Sequence, residues 1–186
     1  MNRFTSWYLH KLEQRPILTK SISSMFLVGA GDAITQTFVH PQSTYDYVRT
    51  AKMASYGLIM IGPTLHLWYK VLDRYVARKY PANYVQTKRE KTMNAIRQMV
   101  VDQTLFAPLA LVQFLGYMGL IEGKPIQSIV DKLKVDMMPT LVANWYLWPA
   151  VQMINFALIP LQYRVLFVNS VSIVWNAYLS HVQHKD

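Results

Sequence analysis

At 186 residues the chain has the length of one domain, and its 16% of charged residues falls below the roughly 25% of an average soluble protein. Its formal net charge of +9 does not point to nucleic acid, because the basic residues gather near the chain start and between Lys70 and Arg97, beside apolar segments. The absence of cysteine excludes disulfides, thiolate metal sites and cysteine nucleophiles.

The first segment sets Phe4, Trp7, Tyr8 and Leu12 on one face and Arg3, Lys11 and Arg15 on the other. That pattern predicts a short N-terminal interfacial helix; the charges interrupt the apolar core a signal peptide needs. Five apolar stretches come next, at about 16–39, 50–72, 93–121, 139–159 and 161–181. Each has roughly the 20 residues that cross a bilayer. A mean hydropathy of only +0.12 requires such spans to be polar on one side. The expected fold is all-α: a multispan transmembrane helical bundle of four to five spans, forming a single transmembrane domain over 1–186. Ile126, Ile129, Val130, Leu133 and Met137 recur at helical spacing and predict a separate amphipathic helix near 125–138. Pro16, Pro139 and Pro160 are expected at helix starts, where a missing N–H is harmless. Pro63, Pro108 and Pro149 lie inside stretches, where each frees a carbonyl one turn earlier. The positive-inside rule puts the N-terminus and the basic 70–97 segment on one side of the membrane.

Each stretch carries a polar face. At 100° per residue, Asn144 and Asn155 stand about 20° apart, with Gln152 within about 80° of Asn144. Three amides on one side cannot face lipid, where each unpaired group costs several kcal/mol. Offsets of 3, 4, 7 or 11 align Ser21, Met25, Asp32 and Gln36 in the first stretch, and Lys52, Ser55, Gly62, His66 and Asp73 in the second. Gln98, Asp102 and Gln113 align in the third, and Asn169, Ser172, Asn176 and Ser180 in the fifth. Two uses compete for these groups: helix-to-helix hydrogen bonds, or the lining of a hydrated path. Asp32 is either a path-lining acid, half of a buried pair with Arg49, Lys52 or His66, or a neutral protonated acid. Trp68, Tyr69, Trp145, Trp148 and Trp175 read as interface belts or packing.

Catalytic chemistry is not signalled. No Ser-His-Asp order or paired-carboxylate motif stands out, and Gly123-Lys124 is not a phosphate loop, because Pro125 replaces the hydroxyl residue. His181 and His184 lack a third ligand nearby, so neither a metal nor a cofactor is expected, and the chain is not read as an enzyme.

The run Asn144-Trp145-x-x-Trp148-Pro149-x-x-Gln152-x-x-Asn155-Phe156, then Pro160 and Arg164, then Trp175-Asn176-x-Tyr178-Leu179-Ser180, resembles the signature of the Mpv/PMP family of mitochondrial and peroxisomal membrane proteins. Gly31-Asp32-x-x-x-Gln36, Gly62-Pro63-x-x-His66-x-Trp68-Tyr69 and Asp102-Gln103 extend the resemblance upstream, and it is strongest to the fungal Sym-type branch. The resemblance implies a mitochondrial inner-membrane location, with the peroxisomal membrane as runner-up. It also implies a channel or metabolite conduit linked to nucleotide balance, mitochondrial DNA maintenance and growth under heat stress. Redox gating through the chain's own thiols is excluded by the lack of cysteine.

The residues expected to line a path are Asp32, Gln36, His66, Asp102, Asn144, Gln152, Asn155 and Asn176. The rival is a non-conducting scaffold or lipid-binding protein, with Lys88, Arg89 and Lys91 holding anionic lipid such as cardiolipin. Expected partners are therefore membrane lipid and small ions or metabolites, with room for a homo-oligomer.

Overall fold

The computed structural model describes the backbone of residues 3–39, 44–81 and 83–183, and side chains over the same residues except 4, 5, 39 and 176–183. Among these residues the protein is all-helical. The α helices are α1 (Arg3–Gln14), α2 (Pro16–Ile34), α3 (Tyr47–Tyr56), α4 (Gly62–Val71), α5 (Lys88–Val101), α6 (Ala107–Ile121), α7 (Ile126–Leu158) and α8 (Arg164–Gln183). Two helical rods, Pro16–Phe38 and Lys88–Ile121, are long and apolar enough to cross a membrane.

Proline explains much of the punctuation. Pro16 opens α2 at the first helical position, as the sequence predicts. Asp46 caps α3 by accepting the Arg49 N–H at 2.9 Å. Thr87 and Glu90 form a reciprocal capping box at the start of α5. Pro63 and Pro108 are each preceded by a π turn, Gly57–Ile61 and Asp102–Phe106. In these wider turns the residue before the proline donates five positions back, Gly62 to Gly57 and Ala107 to Asp102. The wide turn gives the proline ring room that an α turn would deny it.

The chain divides into two compact units, Met1–Leu67 with Val165–Asp186, and Trp68–Arg164. In the first, α2 crosses α3 and the π turn after it at close range. A Cβ at Gly57 would stand 2.6 Å from the Ser24 carbonyl oxygen, and one at Gly62 would overlap the Ser21 backbone. Only glycine permits that approach. Leu18, Ile22 and Phe26, spaced by four on α2, stay exposed and form a stripe suited to lipid. Tyr8 ties α1 to α2 through a 3.2 Å contact between its hydroxyl and that of Ser23.

In the second unit α5 and α6 pack against α7, and Ile129 fills the space that the missing side chain of Gly119 leaves. One expectation fails here. The 125–138 segment is not a separate helix but the first part of the 33-residue α7, so Pro139 lies inside a helix rather than starting one. A helix-interior proline costs about 3 kcal/mol, and the apolar face continuing through Ile129 and the buried Leu141 against the neighbouring helices offsets it.

Candidate functional site

In the first unit the polar face of α2 closes the corner to α3. Arg49 donates to Asp32 Oδ1 at 2.9 Å, while Gln36 at 2.8 Å and the Thr50 hydroxyl at 2.7 Å donate to Oδ2. Gln36 also reaches the backbone of Asp46, donating to its carbonyl at 3.1 Å and accepting its N–H at 2.8 Å. Asp32 and Gln36 are thus brought together, and the buried Asp32 pairs with Arg49, one of the partners that the sequence offered as its second reading, although Arg49 itself is not buried. The Arg49 side chain remains 44% exposed, so this charge pair reaches solvent on one side. His66 takes a different neighbour, with its Nδ1 3.0 Å from the Lys20 ammonium. Asn169 donates to the Ser24 hydroxyl at 2.6 Å.

In the second unit a polar core forms between α5 and α7. Asp102, 2% exposed, accepts three hydrogen bonds from neutral donors. Trp68 Nε1 donates to Oδ1 at 2.8 Å, and Gln103 at 2.8 Å and Gln152 at 2.9 Å donate to Oδ2. Gln152 in turn accepts from Asn155 Nδ2 at 2.8 Å. Asn155 Oδ1 is the buried side-chain polar atom left without a hydrogen-bond partner among the described residues. Asn144 donates to Gln103 Oε1 at 3.2 Å, and Trp145 donates its indole N–H to the Gln103 carbonyl at 3.3 Å.

Arg164, 7% exposed, stands where α7 ends before Pro160. It donates to the Ile159 carbonyl at 3.2 Å, the Phe156 carbonyl at 3.4 Å and Gln98 Oε1 at 3.1 Å, and its guanidinium lies 5.1 Å from the Phe156 ring centroid. The partial negative charge of the last helical carbonyls suits a cation there. No described carboxylate comes within ion-pair distance of it, and no described cation does so for Asp102.

Asn144, Gln152 and Asn155 are therefore gathered in one place, consistent with the helix face they share, and Asp102 joins them from another helix, which no helix face predicts. Asn176 falls outside the described side chains, as do Ser180, His181, His184 and Phe4. Sequence reasoning missed Lys20, Thr50, Gln103 and the donor roles of Trp68 and Trp145, which it assigned to belts and packing. Apart from the bond of Gln103 to its neighbour Asp102, their partners lie on other helices, so helix periodicity carries no signal for them. Gln113 does not share a face with Asp102 in the way an offset of 11 implies, because the intervening π turn adds a residue and rotates α6 by about 100°. Of the residues expected from the sequence to hold lipid, Arg89 lines a basic cleft with Arg78 and Arg97, while Lys88 and Lys91 are exposed outside it.

Comparison with known proteins places the chain in a family. Residues 119–180 match the Mpv17 / PMP22 family. Protein SYM1 of Gibberella zeae is 40% identical over the full length of both chains. Protein sym-1 of Neurospora crassa is 39% identical over 94% of this chain and 96% of its own. The mitochondrial inner membrane protein Mpv17 of Danio rerio is 38% identical over 96% of each chain. No solved structure matches. The chain belongs to the Mpv17 / PMP22 family, has fungal SYM1 proteins among its relatives, and is a protein of the mitochondrial inner membrane.

Proposed function

We propose that the protein is a conduit for small ions or metabolites, with the polar core of the Trp68–Arg164 unit as its selective element. One observation carries this reading: Asp102 and Arg164 are both buried in the same unit, yet neither is the other's partner. A buried charge in a membrane protein is costly, about 2.5–3.5 kcal/mol for an acid on insertion scales. A scaffold would lower that cost by joining the two charges or by replacing them with apolar side chains. Here each is held by neutral amides, an indole and backbone carbonyls, and Asn155 adds an open acceptor oxygen beside Gln152. Fixed charges held this way are suited to attract a mobile ion of opposite sign.

In this arrangement the cluster is closed on itself, so conduction requires the Asn144–Gln103 or Gln152–Asp102 bond to part. Asp102 would favour cations, and Arg164 would orient anionic groups of a metabolite. Four or five helices would cross the membrane in such a protein. Maintenance of metabolite and nucleotide balance, and through it of mitochondrial DNA, is the cellular role proposed with it.

The second reading, a non-conducting scaffold binding lipid such as cardiolipin, is favoured by the first unit, where Asp32 is paired with Arg49 and bonded by Gln36 and Thr50. Purified protein in a planar bilayer separates the two. The conduit reading expects discrete ion currents that rise with the amount of folded protein. A silent bilayer with folded, inserted protein supports the scaffold.

A further inference from the structure

Outside the polar cores, the start of the Lys88–Ile121 rod carries a cleft of about 550 Å³ lined by Arg78, Tyr80, Thr87, Arg89, Glu90, Met93 and Arg97. Its arginines are positioned by structure rather than by sequence adjacency. Asn94 clasps the backbone of Arg78 from both sides, accepting its N–H at 2.9 Å and donating to its carbonyl at 3.1 Å. Arg89 and Arg97 lie on one face of α5, with Met93 between them at spacings of four. Arg78 also stands 5.5 Å from the Tyr80 ring centroid, and that ring stacks on Tyr84.

Glu90 is the acid in the cleft, and its carboxylate is already occupied. It accepts from the Thr87 N–H at 2.9 Å, the Thr87 hydroxyl at 2.9 Å and the Tyr84 hydroxyl at 2.9 Å. The bond to Glu90 holds the Tyr84 phenol above the usual tyrosine range, so it remains a donor. Among the described residues no carboxylate forms an ion pair with Arg78, Arg89 or Arg97. Three arginines thus line one cleft with no described carboxylate paired to them, and phosphate, an anion that presents several oxygens, is the group that guanidinium forks match.

We infer that this cleft binds the phosphate of an anionic phospholipid, the headgroup resting among Arg78, Arg89 and Arg97. Phosphate chemistry alone would also admit a free phosphate. The surface leading away from the cleft favours the lipid: Met93 is 42% exposed and Val100 47% exposed along the same face of a rod apolar enough to enter the bilayer. Acyl chains have a path there and a soluble phosphate does not use it. The site is independent of the conduit reading, and of Lys88 and Lys91, which lie off the cleft.

The test uses full-length protein in a zwitterionic detergent, with binding followed by thermal unfolding and by native mass spectrometry. The probes are short-chain phosphatidylglycerol, phosphatidylcholine of the same chain length, and inorganic pyrophosphate. Phosphatidylglycerol should bind and protect the protein, with phosphatidylcholine and pyrophosphate at least tenfold weaker. Arg89→Gln with Arg97→Gln should weaken phosphatidylglycerol at least tenfold. Lys88→Gln with Lys91→Gln removes the same charge from the same helix and should leave binding within about twofold. All four side chains are exposed, so both variants should unfold at the parent temperature without lipid. Equal losses in the two variants would overturn the site in favour of diffuse attraction. Equal protection by pyrophosphate would overturn the lipid assignment, and no preference for phosphatidylglycerol over phosphatidylcholine would overturn the proposal as a whole.

Discussion

Trp145 donates its indole N–H to the carbonyl of Gln103, a carbonyl that the helix itself cannot satisfy. The π turn sends the Ala107 N–H to Asp102, and the next residue, Pro108, has no N–H to offer. The indole therefore completes a backbone that proline opened. Trp145→Phe keeps the ring and removes the donor, and it should lower stability by about 1–3 kcal/mol. In a Pro108→Ala background, where residue 108 regains an N–H, the same change should cost clearly less. Thermal unfolding of the four proteins in detergent measures this coupling; additive losses would show that Trp145 does not serve that carbonyl.

The Asp32–Arg49 pair predicts a local effect on stability. Asp32→Asn removes the charge that Arg49 answers, but Arg49 is 44% exposed and can turn to water. The loss should be about 1–3 kcal/mol, below the 3–5 kcal/mol of a fully buried pair that loses one partner. Ion selectivity per folded protein should not change. A shift in selectivity on Asp32→Asn would move the selective element into the first unit.

Glycines at the helix crossing and away from it should respond in opposite directions. Gly57→Ala drives a methyl against the Ser24 carbonyl and should reduce folded yield and unfolding temperature. Gly116→Ala meets nothing within 4 Å and gains helix propensity, about 0.8–1.0 kcal/mol. Equal effects of the two substitutions would mean that the α2 crossing is looser than described.

The split between what the sequence revealed and what it hid comes from the range of each interaction. Asn144, Gln152 and Asn155 were legible as one buried face because a helix repeats every 3.6 residues and amides avoid lipid. The caps at Asp46 and Thr87 are as local, each three residues from its target, yet the apolar periodicity that marks the stretches does not single them out. Asp102 with Gln152, and Gln98 with Arg164, join residues 50 and 66 positions apart, and no local pattern encodes them. The π turn at Asp102 also broke the offset rule that grouped Gln113 with it. Pro139 misled for a related reason: its local preference for helix starts was overridden by the packing of α7 against its neighbours.

Asp102 is the residue on which the conduit reading turns, and Asp102→Asn in a planar bilayer is its most direct test. Asparagine keeps the size and can still accept from Trp68, so a folded fraction should survive despite the mismatch with Gln103 and Gln152. With a salt gradient across the bilayer, the reversal potential of the parent protein should show a cation preference, and Asp102→Asn should shift it toward anions while unit conductance persists. An unchanged reversal potential in folded Asp102→Asn, or no current from folded parent protein, would contradict a selective path through this core.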